Sequence, residues 1–505
     1  MAVIHVAPTD TYAKIEMAQP GDEVILAPGT YTFRVYLQQQ ASASSPIYIH
    51  AQDPSNPPVV DFGSTLVEDA PGSYGGGDKG RGCWQVSGGT NITIEGIVFK
   101  HCSTASADSA GIRYYEGASI TVRNCVFQDN DNGITGGTQS STALVEYCEF
   151  NHNGNLAASS SAPTHNMYIY GGTFTLRYSW AHDALQGQNF HIRAQNATLE
   201  YNWFARAASY EGDLMTDDDY SGGSTFTQTM VFRGNVILEG TTQSNNSQII
   251  AMYNDTGASG LTLQTHVLYN TFVGSDSHAA LVHVSNADGT QMVTAIEDNV
   301  IAGAAQAVHV EDTTHATVSG TNNWMTTGSD ATPLTGTVMG ADPTFVDAGA
   351  EDFHLGAGST AIGAATSSGL MDLPDAEYWE NEVVARMWRA RLTVKDIGAF
   401  ESTTNGTPMG PYGPSDGGGI TGGGSDASRG GGSDASGGSP RDVIDETTPA
   451  DAQDDGATGD GGANGATSGS SSGCGCRMSD GAGTASGLGA IAAIALAFTL
   501  RRRRI

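Results

Sequence analysis

The sequence predicts an all-β solenoid, a parallel β-helix in which short strands stack coil upon coil. Three observations lead there. A β-rich segment followed by a small or amide residue and an apolar pair recurs along the first 401 of 505 residues. The copies include Thr121–Phe127, Leu144–Phe150, Leu199–Phe204, Phe232–Ile237, Leu268–Phe272 and Glu297–Ile301. Anchored at Ile97, Cys125, Cys148, Ser179, Asn202, Asn235, Asn270, Asn299 and Asn323, they advance by 28, 23, 31, 23, 33, 35, 29 and 24 residues. A minimum near 23 with longer excursions suits coils of three strands and three turns, with insertions bulging from the turns. Finally, 67 glycines, with many Ser, Thr and Asn, leave little room for helix formers.

The elements follow in order. Val3–Val6 opens as a strand, and Ala13–Ala18 forms a short helical cap. Pro20–Tyr31 closes the first coil. The recurring Asn at one turn predicts an amide ladder, each side chain bonding its copy one coil away. Cys125 and Cys148 take the same coil position and stack as buried thiols, with a disulfide as the alternative; Cys83 and Cys102 can also pair. Asp372–Arg391, rich in Trp, Glu and Arg, reads as a helix or loop over the C-terminal coils, and Asp396–Glu401 closes the last one.

Three regions result: the β-helix at 1–401, a Gly/Ser/Asp-rich disordered linker at 402–473, and an anchor segment at 474–505. The formal charge is −32. The body holds 43 acids against 15 bases and the tail 11 against 7, so the acidity belongs to the folded part. This argues against nucleic acid as a partner, which requires a basic face. It suits a soluble surface or cation binding, since carboxylates are ligands that Ca²⁺ prefers.

Alternation places chemistry in two aligned coils. Asn166–Gly171 and Asn189–Ala194 lie 23 residues apart. Met167, Ile169, Phe190 and Ile192 then face inward, and Tyr168, Tyr170, His191 and Arg193 face outward. One coil step sets His191 beside Tyr168 and Arg193 beside Tyr170. The scarce bases Arg177, Arg193, Arg206 and Arg233 fall within a few coils, with His165 and His182; Asp213 and Asp217, Asp218 and Asp219 follow. These residues predict an acid–base site with Arg193, His191, Tyr168 and Tyr170 catalytic. Arg177, Arg206, His165 and His182 would bind substrate, and Asp217–Asp219 would bind Ca²⁺, the one candidate cofactor.

Two resemblances add to this reading. The Pro20–Tyr31 and Asp396–Glu401 segments resemble the ends of right-handed parallel β-helix proteins of the pectate-lyase-like superfamily, over residues 1–401. Arg193-Ala194 followed by Asn202-Trp203-Phe204 is similar to a segment of alginate-lyase and chondroitinase-B type polysaccharide lyases, where Lys-Ser precedes Asn-Thr-Phe. That family's Lys is the base, so the resemblance puts Arg193 in the base position, although Arg holds its proton more tightly. It implies cleavage of a uronate-containing polysaccharide by β-elimination. The alternatives are a non-catalytic carbohydrate-binding or adhesive surface protein and a glycoside hydrolase using paired carboxylates such as Asp217-Asp218.

The tail carries Cys474-Gly475-Cys476, an apolar stretch Leu488–Leu500 and Arg501–Arg504. It resembles the MYXO-CTERM sorting tail. The resemblance implies export, a sorting protease, and anchoring at the cell envelope or release; a plain transmembrane helix is the alternative. Met1–Pro8 has no basic start and apolar run, so the natural start is expected upstream of Met1. The chain is expected to be a monomer.

Overall fold

The structure is a computed structural model. It describes residues 1–73, 81–155, 164–217, 226–240, 248–254, 260–274, 280–286, 290–311, 313–366, 372–379, 386–403 and 406–414. The predicted anchor, with Cys474, Cys476 and the four arginines, and the predicted linker beyond Pro414 lie outside them; the start of that linker is ordered instead, with Met409–Gly410 and Gly413–Pro414 paired as antiparallel strands and Met409 paired with Trp388. Among the described residues no helix is long and apolar enough to cross a membrane.

Most of the described strands form three parallel sheets that the chain visits in turn, and six near the C-terminal end of the described residues form two small antiparallel sheets. Sheet 1 has twelve strands, from Val3–Val6 to Ala316–Ser319; sheet 2 has twelve, from Gly29–Tyr31 to Val338–Gly340; sheet 3 has ten, from Val35–Leu37 to Gln306–Val310. Each strand pairs with its copy one coil away. The fold is the predicted parallel β-helix. The predicted cap is one short helix, Ala13–Glu16.

Inward side chains repeat at fixed register and make the core. On sheet 2 the row runs Phe99, Phe127, Phe150, Ala181, Phe204, Ile237, Phe272, Ile301 and Met325. Phe99, Phe127 and Phe150 stack nearly parallel, with ring centroids 5.2 and 4.8 Å apart. Each coil buries this surface only against its neighbours.

The turn from sheet 1 to sheet 2 carries the predicted ladder. The backbone N–H of each member donates to the side chain of the next: Cys125 to Cys148, Cys148 to Ser179, Ser179 to Asn202, and on through Asn235, Asn270, Asn299 and Asn323. The residue just before several members is left-handed, with φ of 55° at Tyr147, 54° at Tyr178, 55° at Tyr201 and 53° at Tyr269. That conformation costs a non-glycine residue about 1 kcal/mol, and the ladder holds it. Cys125 and Cys148 are free, buried thiols, and Cys83 and Cys102 form a disulfide.

Two C-terminal expectations need correction. The described residues of Asp372–Arg391 hold no helix: Ala376–Tyr378 and Trp388–Ala390 pair as antiparallel strands. They lie on the middle coils, where Trp388 stacks on Tyr178 and bonds the Tyr147 hydroxyl. The outward tyrosines of the left-handed turns offer an aromatic strip, and the segment covers it. Asp396–Glu401 does not close the last coil. It runs outside sheet 2, with Gly398 N–H bonding Asp298 O and Ala399 N–H bonding Thr271 Oγ1. The stack instead ends with Ala316–Ser319, Trp324–Thr326 and Val338–Gly340.

Candidate active site

Three consecutive strands of sheet 3, Met167–Ile169, Phe190–Ile192 and Gly212–Leu214, carry the site. A second polar ladder sets their register. Asn130 donates through Nδ2 to Asn153 Oδ1, Asn153 to Asn166, Asn166 to Asn189, and Asn189 to Glu211 Oε2. Asn166, Asn189 and Glu211 each stand immediately before one of the three strands. The ladder ends on a carboxyl that burial, foremost, pushes up to about 8.

Alternation then acts as predicted: Met167, Ile169, Phe190 and Ile192 are fully buried in the core. Tyr168, His191 and Asp213 align across the strands on the outer face. Arg193 follows one strand, its N–H bonding Ile169 O at 2.8 Å. His191 Nδ1 lies 2.7 Å from Asp213 Oδ2, and Arg193 Nε donates to His191 Nε2 at 3.0 Å. With Nε2 accepting, the proton of a neutral ring sits on Nδ1 and points at Asp213. Arg193 Nη1 also donates to Thr216 O at 3.2 Å. Tyr210 adds a buried phenol in contact with Asp213 and Tyr253, and burial together with the Asp213 charge pushes its pKa far up.

Tyr168 and Tyr170 stand half-buried at the open side, rings edge to face at 4.7 Å. Tyr168 lies 4.5 Å from the His191 ring, and His165 stacks on His191 at 4.9 Å. Burial, then the neighbouring His191, holds His165 down at about 3, so it is neutral. Its Nδ1 accepts from Gln188 N–H at 3.1 Å. His191 and Arg193, 7% and 4% exposed, lie under the tyrosines rather than on an open surface.

The structure therefore brings together Arg193, His191, Tyr168, Tyr170 and His165. It does not bring in Arg177, Arg206 and His182. Arg177 belongs to a charge ladder on sheet 1 that alternates Glu95, Arg123, Glu146, Arg177, Glu200 and Arg233 in register. Opposite charges directly across strands are favourable, and this gathers arginines into these coils. His182 is on sheet 2, stacked on Trp180 and bonded to Asp183 at 2.6 Å. Arg206 follows a sheet 2 strand and pairs with Asp183 and Glu351.

The Ca²⁺ expectation rests on a trio of which one member is described. Asp217 is fully buried, its N–H bonded to Gln228 Oε1; Asp218 and Asp219 lie outside the described residues. Among the described residues no carboxylates join Asp217 in a ligand set of three. Ca²⁺ takes six to eight oxygens, so the residues described do not by themselves make up its site. Sequence reasoning counted Asp213 only among the carboxylates near a Ca²⁺ site, whereas it bonds His191, and it left Tyr210 and the Asn166–Asn189–Glu211 ladder without a role. The two asparagines were visible at the same 23-residue spacing as Tyr168 and His191.

A family model described as "Right handed beta helix region" matches residues 77–219. No curated relative matches the sequence. Among solved structures, pectate lyase Pel9A is 15% identical, with 80% of this chain and 97% of that one covered and a TM-score of 0.47. PL6 family alginate lyase AlyGC is 13% identical, with 67% and 53% covered and a TM-score of 0.35. An alginate lyase from Paenibacillus sp. str. FPU-7 is 13% identical, with 65% and 99% covered and a TM-score of 0.39.

Proposed function

We propose that the protein binds a uronate-containing polysaccharide along the outer face of sheet 3 and cleaves it by β-elimination. The observation that carries this reading is the pair of half-buried tyrosines standing over a buried Asp213–His191–Arg193 hydrogen-bond chain. Tyrosine faces suit sugar rings, and their hydroxyls are the polar groups nearest a bound glycan. His191 or Arg193 takes the proton from the carbon beside the carboxylate. That electron pair forms the new carbon–carbon double bond, and the glycosidic bond at the next carbon breaks. Tyr168 or Tyr170 gives its proton to the departing oxygen. The uronate carboxylate competes for Arg193; drawing the guanidinium off His191 Nε2 frees that nitrogen as base, while Asp213 supports the imidazolium that forms. Arg193 then stabilises the charge that builds on the carboxylate.

The test is the ultraviolet absorbance of unsaturated uronate products with alginate, pectate and chondroitin, each with and without Ca²⁺. Product that disappears in Arg193→Ala and Tyr168→Phe, with the fold intact, supports the reading. Silence across the panel refutes it.

The near-complete burial of His191 and Arg193 favours a second reading: a non-catalytic glycan-binding surface protein. Glycan binding without turnover, unaltered in Arg193→Ala, supports that one. The hydrolase alternative needs Asp218 beside Asp217, and Asp218 lies outside the described residues. We further place the protein outside the cytoplasm, exported and held by its C-terminal tail. The Cys83–Cys102 disulfide supports an oxidising compartment. Fractionation of the native cells tests this, and recovery in the cytosol would refute it.

A further inference from the structure

The outward row of sheet 3 continues beyond the tyrosine–histidine site. In register it reads Tyr168, His191, Asp213, Ala251, His283 and His309. His283 lies in strand Ala280–Asn286 and His309 in strand Gln306–Val310. They are direct neighbours across the two strands, with ring centroids 4.9 Å apart. Glu311 follows His309 by two residues, so it projects from the same face. Its backbone N–H donates to Val284 O at 3.0 Å, which continues the ladder and fixes its position.

The side chains converge. Glu311 Oε1 lies 3.1 Å from His283 Nε2, and Ser285 Oγ donates to Glu311 Oε2 at 2.8 Å. One ligand atom from each of His283, His309 and Glu311 lies within 4.8 Å of the others, the one such group of three among the described residues. His283 Nε2 is shut off from solvent, and its close approach to Glu311 is too poorly aligned for a hydrogen bond. Burial, foremost, and then the adjacent His309 hold His283 below the usual histidine range, despite the opposing pull of Glu311.

We propose that His283, His309 and Glu311 form a binding site for a transition-metal dication, Zn²⁺ before others. Two imidazoles and one carboxylate are a donor set that Zn²⁺ accepts, whereas Ca²⁺ prefers oxygen alone. Bonds of about 2.0–2.1 Å in a tetrahedron put ligand atoms about 3.3 Å apart. The His283–Glu311 approach of 3.1 Å already meets that; His309, exposed and free to choose its rotamer, closes the third corner. Three protein ligands leave a fourth position for water or for an oxygen of a bound molecule. The site lies two coils past Asp213, about 10 Å along the sheet at one strand spacing per coil. It stands independently of the glycan reading.

The metal-free full chain is titrated with ZnCl₂ at pH 7 by isothermal calorimetry, beside His309→Ala and Glu311→Gln. Both positions are exposed, and circular dichroism confirms that each variant folds. The expected result is one equivalent of Zn²⁺ on the native protein and a loss of affinity of about tenfold or more in each variant. CaCl₂ should give no heat that the variants abolish. Absence of Zn²⁺ binding, or an affinity in both variants unchanged from that of the native protein, overturns the proposal.

Discussion

Replacing Asn270 by alanine tests what holds the coils in register. Asn270 is fully buried in the middle of the first ladder. Its Oδ1 accepts from Asn235 N–H at 2.9 Å and from Asn235 Nδ2 at 3.1 Å. Its Nδ2 donates to Phe232 O at 2.9 Å and to Asn299 Oδ1 at 2.9 Å. Alanine removes all four. Asn235 Nδ2 keeps Leu199 O, and Asn299 Oδ1 keeps the backbone N–H of residue 270. Asn235 N–H and Phe232 O lose these partners in a dry interior, where backbone polar groups are rarely left unpaired. Four bonds at about 1 kcal/mol each, with up to about 3 kcal/mol more for an orphaned buried group, make the loss about 4–7 kcal/mol. The assay is urea unfolding followed by tryptophan fluorescence. Because a solenoid can unfold in parts, it is paired with hydrogen exchange on residues 232–240 and 265–274. The exposed Asn196→Ala on sheet 1 serves as control and should cost about 0.5 kcal/mol or less. A loss at Asn270 below about 1 kcal/mol would refute the reasoning and leave the apolar rows alone to set the stack.

Four further outcomes follow from the structure. Glu211 in the fold keeps a proton, to about pH 8, that the unfolded chain sheds above its ordinary value of 4.5. Its contribution to stability is complete below about 4.5 and is lost as pH rises to about 8; Glu211→Gln should flatten this part of the curve of melting temperature against pH, and an unchanged curve counts against it. Reducing Cys83–Cys102, which spans 19 residues, should destabilise the fold by about 3 kcal/mol. The buried Cys125 and Cys148 should stay closed to thiol reagents until unfolding, and labelling of the native protein at Cys125 would contradict that. A Cβ at Gly212 would sit 2.0 Å from the Phe190 ring. Gly212→Ala should therefore cost about 1–3 kcal/mol by overpacking and disturb Asp213 beside it, read as a lower melting temperature and, if the lyase reading holds, lower turnover.

Much of the fold was legible because a solenoid repeats its physics. Each coil solves the same burial problem, so the 23-residue minimum, the inward Phe and Ile positions and the Asn turn recur in the sequence at the spacing at which they stack. The alignment of Tyr168 with His191 followed from the same arithmetic. What failed was the non-repetitive part. Asp372–Arg391 has no coil period, and its strands exist because the tyrosine strip gives them a surface to cover. The gathering of arginines looked like a binding site, yet Arg177 and Arg233 proved to be rungs of an alternating charge ladder on another sheet. Proximity along the chain does not say which of three faces a residue takes.

The sequence by itself determined the solenoid, the inward and outward rows, and the neighbours one coil apart, because these depend on strand alternation and repeat length. Only the tertiary structure decided which outward rows share a face and how deeply each is buried. That joined His191 to Asp213 and Arg193 beneath the tyrosines, and turned Arg206 and His182 to another side. It also set His283, His309 and Glu311 around one point. Partners of this kind come from stacking across coils of unequal length, where loop insertions hide the register from any reading along the chain.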